Sequence, residues 1–267
     1  MHRILGAACA FTALLAAAPA ASAATQTASS GSVTAVFSFQ GKVPNYSHLR
    51  LEIERAGTVV YDQKISDKTT CGSECWPAST KNSLQVRDLD ADGQPEVVLS
   101  LYSGGANCCF VDQVFSFDPG SDTYVKTSRN FGDGGVAIKT LGGAERFVGA
   151  DFAFKYAFTD GADSGEPIQI LEFKGRRFVD VTRDYPALIA KDAKRWLKFF
   201  KRDLKNGVGL LAAWAADEDL LGHEKLVSSY LHKQLKAGHL NSLMGPKFSG
   251  KHFIAQLQKL LKRLGYV

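Results

Sequence analysis

A change of hydrophobic period near Tyr185-Pro186 constrains this chain more than any other feature. Before it, apolar and polar residues alternate, as in Val33-Thr-Ala-Val-Phe-Ser-Phe, Leu49-Arg-Leu-Glu-Ile-Glu-Arg and Thr58-Val-Val-Tyr-Asp, with Ala56-Gly57 as a tight turn between the last two. A period of two means strands with one buried and one polar face. After it, Ile189, Ala193, Trp196, Leu197, Phe200 and Leu204 share one helical stripe, and basic residues cover the rest. That helix ends at Asn206-Gly207; a second runs from about Gly209 to Lys236 with a break near Gly222, and a third from about Gly250 to Leu264. The sequence therefore predicts an α+β protein: an antiparallel, blade-like β region over residues 33–185, then a C-terminal helical region over 186–267.

Residues 1–23 read as an export signal, with Arg3 at the positive end, an apolar run from Ile4 to Ala18 and small residues Ala21-Ser22-Ala23 at the cleavage site. The apolar run is too short to span a bilayer. Residues 24–32 are small and polar and read as a flexible leader. The expected location is secreted or periplasmic. Beyond the signal stand Cys71, Cys75, Cys108 and Cys109, an even count that favours disulfides in an oxidising compartment. The expected bridges join the first pair to the second, because a Cys108–Cys109 bridge closes an eight-membered ring. The alternative, a four-cysteine zinc site, suits adjacent ligands poorly.

Residues 186–267 hold 15 Lys and Arg against 6 Asp and Glu, whereas the whole chain carries only +5. The front is therefore acidic and the back basic. Mutual attraction of the two parts explains this, as does contact of the basic helices with an anionic surface. Nucleic acid is not expected as a partner of an exported chain.

The stretch Asp88-Leu-Asp90-Ala-Asp92-Gly93-Gln94-Pro95-Glu96 puts carboxylates at its first, third and fifth positions, before a glycine that permits a sharp turn. Calcium needs several oxygen ligands at one point, and this spacing offers them. An EF-hand would continue into a helix with glutamate at position twelve; that place is Leu99, inside a strand-like run. The expected calcium ligands are Asp88, Asp90, Asp92, the Gln94 backbone carbonyl and Glu96. A metal-free acidic turn is the alternative.

With its flanking strands, Leu84-Gln-Val-Arg before and Glu96-Val-Val-Leu-Ser after, this loop resembles the blade repeat of the FG-GAP (integrin-alpha-like, VCBS-type) β-propeller proteins over about one blade. The resemblance implies calcium held between two strands and a role in adhesion or extracellular recognition. A closed propeller takes at least four blades, and the usual number exceeds this chain length. Internal similarity points the same way: residues 113–127 match 169–182 as two hairpins, and stepping upstream aligns Glu96–Tyr102 with Phe152–Phe158, which suggests two blade-like units.

Catalytic signatures are scarce. His223-Glu224 lacks the second histidine of a zinc-protease helix, since Val227 holds that place, and neither a nucleophile elbow nor a phosphate loop occurs. Asp217-Glu218-Asp219 beside Trp214 are consecutive and so point to different faces of a helix. A ligand, if a sugar or peptide, is expected at Ser103, Gly104, Gly105 and Asn107, next to the cysteine doublet. The functional expectation is a calcium-stabilised, non-enzymatic recognition or adhesion module of the cell envelope or extracellular space, with envelope polysaccharide or an extracellular protein as partner. The alternatives are a secreted hydrolase of polysaccharide or peptide, and a structural or inhibitory partner protein.

Overall fold

The structure, a computed structural model, describes residues 23–72, 75–106 and 108–267. It is an α+β protein built from three antiparallel sheets in chain order, followed by helices. The first sheet is a meander of β1 (Ala23–Ser30), β2 (Val33–Lys42), β3 (Asn45–Arg55) and β4 (Thr58–Lys64). A four-residue helix α1 (Lys68–Cys71) leads to the second sheet: β5 (Trp76–Pro77) and β6 (Leu84–Arg87) both pair with β7 (Glu96–Gly105), which pairs with β8 (Cys108–Asp118) and that with β9 (Thr123–Asn130). The third sheet is β10 (Ala137–Leu141), β11 (Ala144–Ala150), β12 (Ile168–Lys174) and β13 (Arg177–Asp180).

The second sheet lies in the middle and is buried on both faces. Val97, Leu99, Leu101, Val111 and Phe115 meet Val33, Phe37, Leu51 and Ile53 of the first sheet. Val98 and Val114, on its other face, meet Phe147, Leu171 and Phe173 of the third. A strand buried on both sides reads as a continuous apolar run, and Val97-Val-Leu is one. Each such large side chain contributes roughly 1.5–3 kcal/mol by leaving water.

Four helices follow: α2 (Pro186–Phe200), α3 (Val208–Leu220), α4 (Glu224–Lys236) and α5 (Gly250–Leu264). Pro186 sits in the first turn of α2, where its missing N–H costs nothing. Helix α3 is the axis of the bundle, buried almost all round through Leu211 to Ala216. The segment between β11 and β12 docks on it so closely that a Cβ on Gly209 would stand 2.5 Å from the Asp163 carbonyl oxygen. Phe154 and Phe158 of that segment join the helical core, so strands and helices share packing. Arg183 adds hydrogen bonds to the carbonyls of Leu220, Gly265 and Tyr266.

Three expectations need correction. The leader at residues 24–32 is mostly strand: β1 pairs with β2 from Ala23 opposite Gln40 to Ser30 opposite Val33. Backbone bonding and the buried Gln26, which donates to the Ser79 carbonyl and accepts the Ser83 amide, hold it without large apolar side chains. The unit count is also low, because the first sheet repeats the meander of the other two. Phe152–Phe158 is no counterpart of β7; it is a short 3-10 turn and loop, and β11 occupies the place expected for it. Residues 1–22 of the expected export signal lie outside the described residues.

Candidate metal centre

Strands β6 and β7 pair up to Arg87 opposite Glu96, so residues 88–95 form the connection that reverses the chain. Ala91 and Gly93 both take positive φ, 59° and 82°. The Asp88 carboxylate accepts the amides of Asp92 (3.2 Å) and Gly93 (3.0 Å), while Asp92 accepts that of Gln94 (2.7 Å). Glu96, only 3 % exposed, accepts the Leu89 amide at 2.9 Å. The turn is thereby folded over its own acids, and one oxygen each of Asp88, Asp90 and Glu96 falls within 4.8 Å of the others.

The electrostatics of this group are unfavourable as it stands. Burial, followed by the nearby charges of Asp90, Asp92 and Asp88, pushes Glu96 up to about 7 against the pull of the Leu89 amide. Burial and the charges of Asp92 and Asp88 also raise Asp90, partly offset by the amides of Asp92 and Gly175. Even so, Asp90 Oδ1 is buried with no hydrogen-bond partner of good geometry. An orphaned anionic oxygen is costly. An all-oxygen set of three carboxylates that includes such an atom's residue suits a hard divalent cation, and calcium tolerates the loose geometry of a turn. The residues present therefore fit Ca²⁺.

One of the four carboxylates expected as ligands is placed differently. Asp92 stands outside the converging group and turns its carboxylate to the Gln94 amide. The Gln94 side chain accepts from Arg55, which also stacks over Phe117 at 4.3 Å. Arg176, in the β12–β13 turn, pairs at 2.9 Å with Asp118, the last residue of β8. Hairpin ends of all three sheets are thus tied together at the acidic loop.

Ser103, Gly104 and Gly105 form the last residues of β7 rather than a free loop, and Asn107 lies outside the described residues. Ser103 Oγ accepts the Cys109 amide at 2.5 Å and donates to the Cys108 carbonyl. Gly104, at φ 79°, lies against Trp76, where a Cβ would stand 2.7 Å from the indole. Nine residue steps of strand separate Glu96 from Gly105, about 30 Å at 3.3 Å per residue. An ion at the acidic loop therefore cannot touch a ligand at Ser103.

The cysteine pairing differs from the expectation. Cys71 pairs with Cys75 around the end of α1 (Cα–Cα 5.2 Å), and Cys108 pairs with Cys109 across a cis peptide. Each sulfur finds its partner within its own segment, so no bridge joins the two.

In the helical region Asp217 is wholly buried and Asp219 nearly so, while Glu218 accepts from Trp214 Nε1 (3.1 Å) and meets His223 Nδ1 at 2.7 Å. Sequence reading missed the partner of Asp217, which is Asp192 on α2. Burial first, then the Asp192 charge, pushes Asp217 up to about 9, although neither of its oxygens makes an aligned hydrogen bond. Asp192 itself accepts from Trp196 Nε1 (2.8 Å) and pairs with Arg195 (2.7 Å). The one local signal was the four-residue spacing of Asp192 and Trp196.

The chain is 31% identical over 160 residues to a probable thylakoid lumen protein of Synechocystis sp., an alignment covering 52% of this chain and 44% of that protein. It is 23% identical over 215 residues to an uncharacterized protein of Sinorhizobium fredii, covering 70% of this chain and 31% of the relative. The chain spans less than half the length of either relative. No family model and no solved structure matches it.

Proposed function

We propose that this is an exported recognition or adhesion module whose stacked sheets are stabilised by Ca²⁺ at Asp88, Asp90 and Glu96, and that it acts by binding rather than by catalysis. The observation that carries the reading is that Asp88, Asp90 and Glu96 bring one oxygen each within 4.8 Å of the others while Asp90 Oδ1 is buried without a hydrogen-bond partner. Export is supported by the signal-like residues 1–23 and by the relative named for the thylakoid lumen, a compartment reached across a membrane. Paired cysteines suit such a compartment. The ion, when bound, supplies charge that offsets the mutual repulsion of the three acids.

The chain's own residues then do the shaping. Asp88 and Asp92 hold the turn through amides, Glu96 fixes its exit through Leu89, and Arg55 and Arg176 tie the neighbouring turns. With the turns ordered, the exposed end of the stack becomes a fixed surface, and envelope polysaccharide is the ligand class to try first. Capture of the protein on immobilised envelope polysaccharides, with calcium and with EGTA, tests this. Calcium-dependent capture on at least one polymer is expected; capture on none, or equal capture in EGTA, overturns it.

A further inference from the structure

The outer face of the third sheet is only partly covered, and what remains open has a consistent chemistry. Helix α2 packs on β12, but between the helix and the outer face of β10 and β11 lies a cleft of about 710 Å³. Its floor is apolar: Leu141 and Val148 from the sheet, Ile168 at the start of β12, and Leu188 and Phe199 from α2. All five are partly open to solvent, Phe199 the most at 39 % exposure. Leaving five apolar side chains partly open to water in one concave place costs free energy that an occupant would recover.

The rim is cationic. Lys191, Lys194 and Lys198 lie along α2, at spacings of three and four residues that put them on one face. Lys139 of β10 stands on the opposite side. None of these four makes an ion pair among the described residues; the one acid of the cleft, Asp192, is already paired with Arg195. Lysine suits this position, because its methylenes line apolar surface while the ammonium reaches water. From Leu188 to Phe199 the helix runs about 16 Å at 1.5 Å per residue, enough to lie along an extended acyl chain. The volume falls within the range of pockets that enclose small ligands.

We infer that this cleft binds a single-chain anionic lipid, with the acyl chain on the apolar floor and a phosphate head among Lys139, Lys191, Lys194 and Lys198. The reading stands apart from the acidic loop, which belongs to the middle sheet. It would give the basic surplus of residues 186–267 a defined ligand in place of a diffuse attraction to anionic surfaces.

Titration calorimetry of the full chain with 1-oleoyl lysophosphatidate, held below its micellar concentration, tests the inference. Saturable binding of one lipid per chain is expected, at least tenfold weaker for 1-oleoyl glycerol, which lacks the phosphate, and undetectable for glycerol 3-phosphate, which lacks the chain. Charge reversal at three exposed positions, K191E/K194E/K198E, should weaken binding at least tenfold. Val148→Trp, which fills the floor, should do the same with every charge kept. Unchanged thermal melting certifies both variants. Equal affinity for the uncharged lipid, unaltered affinity in the charge-reversed variant, or binding only to anionic vesicles without one-to-one binding of monomeric lipid would each overturn it.

Discussion

Replacing Asp90 by Asn should invert the order of stability between calcium and chelator. In the metal-free protein, Asp90 stands with Asp88 and Glu96 so that their nearest oxygens are within 4.8 Å. Two unit charges at that distance repel by about 3.5 kcal/mol at an effective dielectric of about 20, and solvent screening at this partly exposed residue reduces the useful part to about 1 kcal/mol. Asn removes that repulsion. With calcium at about 100 times its Kd, the native chain gains about 2.7 kcal/mol from binding, whereas the variant has lost one of three converging carboxylates. For a domain of this size each kcal/mol moves Tm by about 2–4 °C. In EGTA the variant should therefore melt about 2–4 °C above the native chain, and in calcium several degrees below it. Melting followed by circular dichroism in both buffers reads the crossing. A native Tm indifferent to EGTA, or a variant with the full calcium increment, would refute the reasoning.

Two further outcomes follow from the helices and the second sheet. Because burial beside Asp192 raises Asp217 to about 9, well above its unfolded value near 3.9, the folded state binds more protons between those limits; the stabilisation is complete below about pH 4 and is lost as pH rises through about 9. Asp217→Asn, which mimics the protonated acid, should melt close to the native chain at pH 3 and increasingly above it as pH rises to 9, and an unchanged difference between pH 3 and pH 9 would contradict this. Gly104→Ala sets a Cβ 2.7 Å from the Trp76 indole at a backbone φ of 79°; a loss of about 1–3 kcal/mol is expected, read as a lower Tm, and no loss would mean that Trp76 moves away at little cost.

How much of this was legible in the sequence depends on how local each interaction is. The α+β class was, because Pro186 and the helical stripe after it are written in neighbouring residues, and α2 and α5 each keep one apolar face. The acidic turn was legible too, since Asp88, Asp90 and Glu96 come together through hydrogen bonds within nine residues. Strand β1 was not: Ala24-Thr-Gln-Thr-Ala has no apolar alternation, and its place is set by pairing with β2 and by Gln26 reaching Ser79 and Ser83. The cysteines misled because ring size was weighed without knowing that the end of α1 and the start of β8 keep the two pairs apart. Asp217 facing Asp192 required two helices to be packed first, and the lysine-rimmed cleft required a helix and a sheet. Side chains whose partners lie across tertiary contacts leave no spacing to read.

The central claim is that Asp88, Asp90 and Glu96 hold one divalent ion. Calcium titration calorimetry on chelator-treated protein measures this directly. One saturable site per chain is expected, lost or strongly weakened in Asp90→Asn and retained in a distant control such as Lys139→Ala. No heat of binding in the native chain, or the same binding in Asp90→Asn, would contradict it.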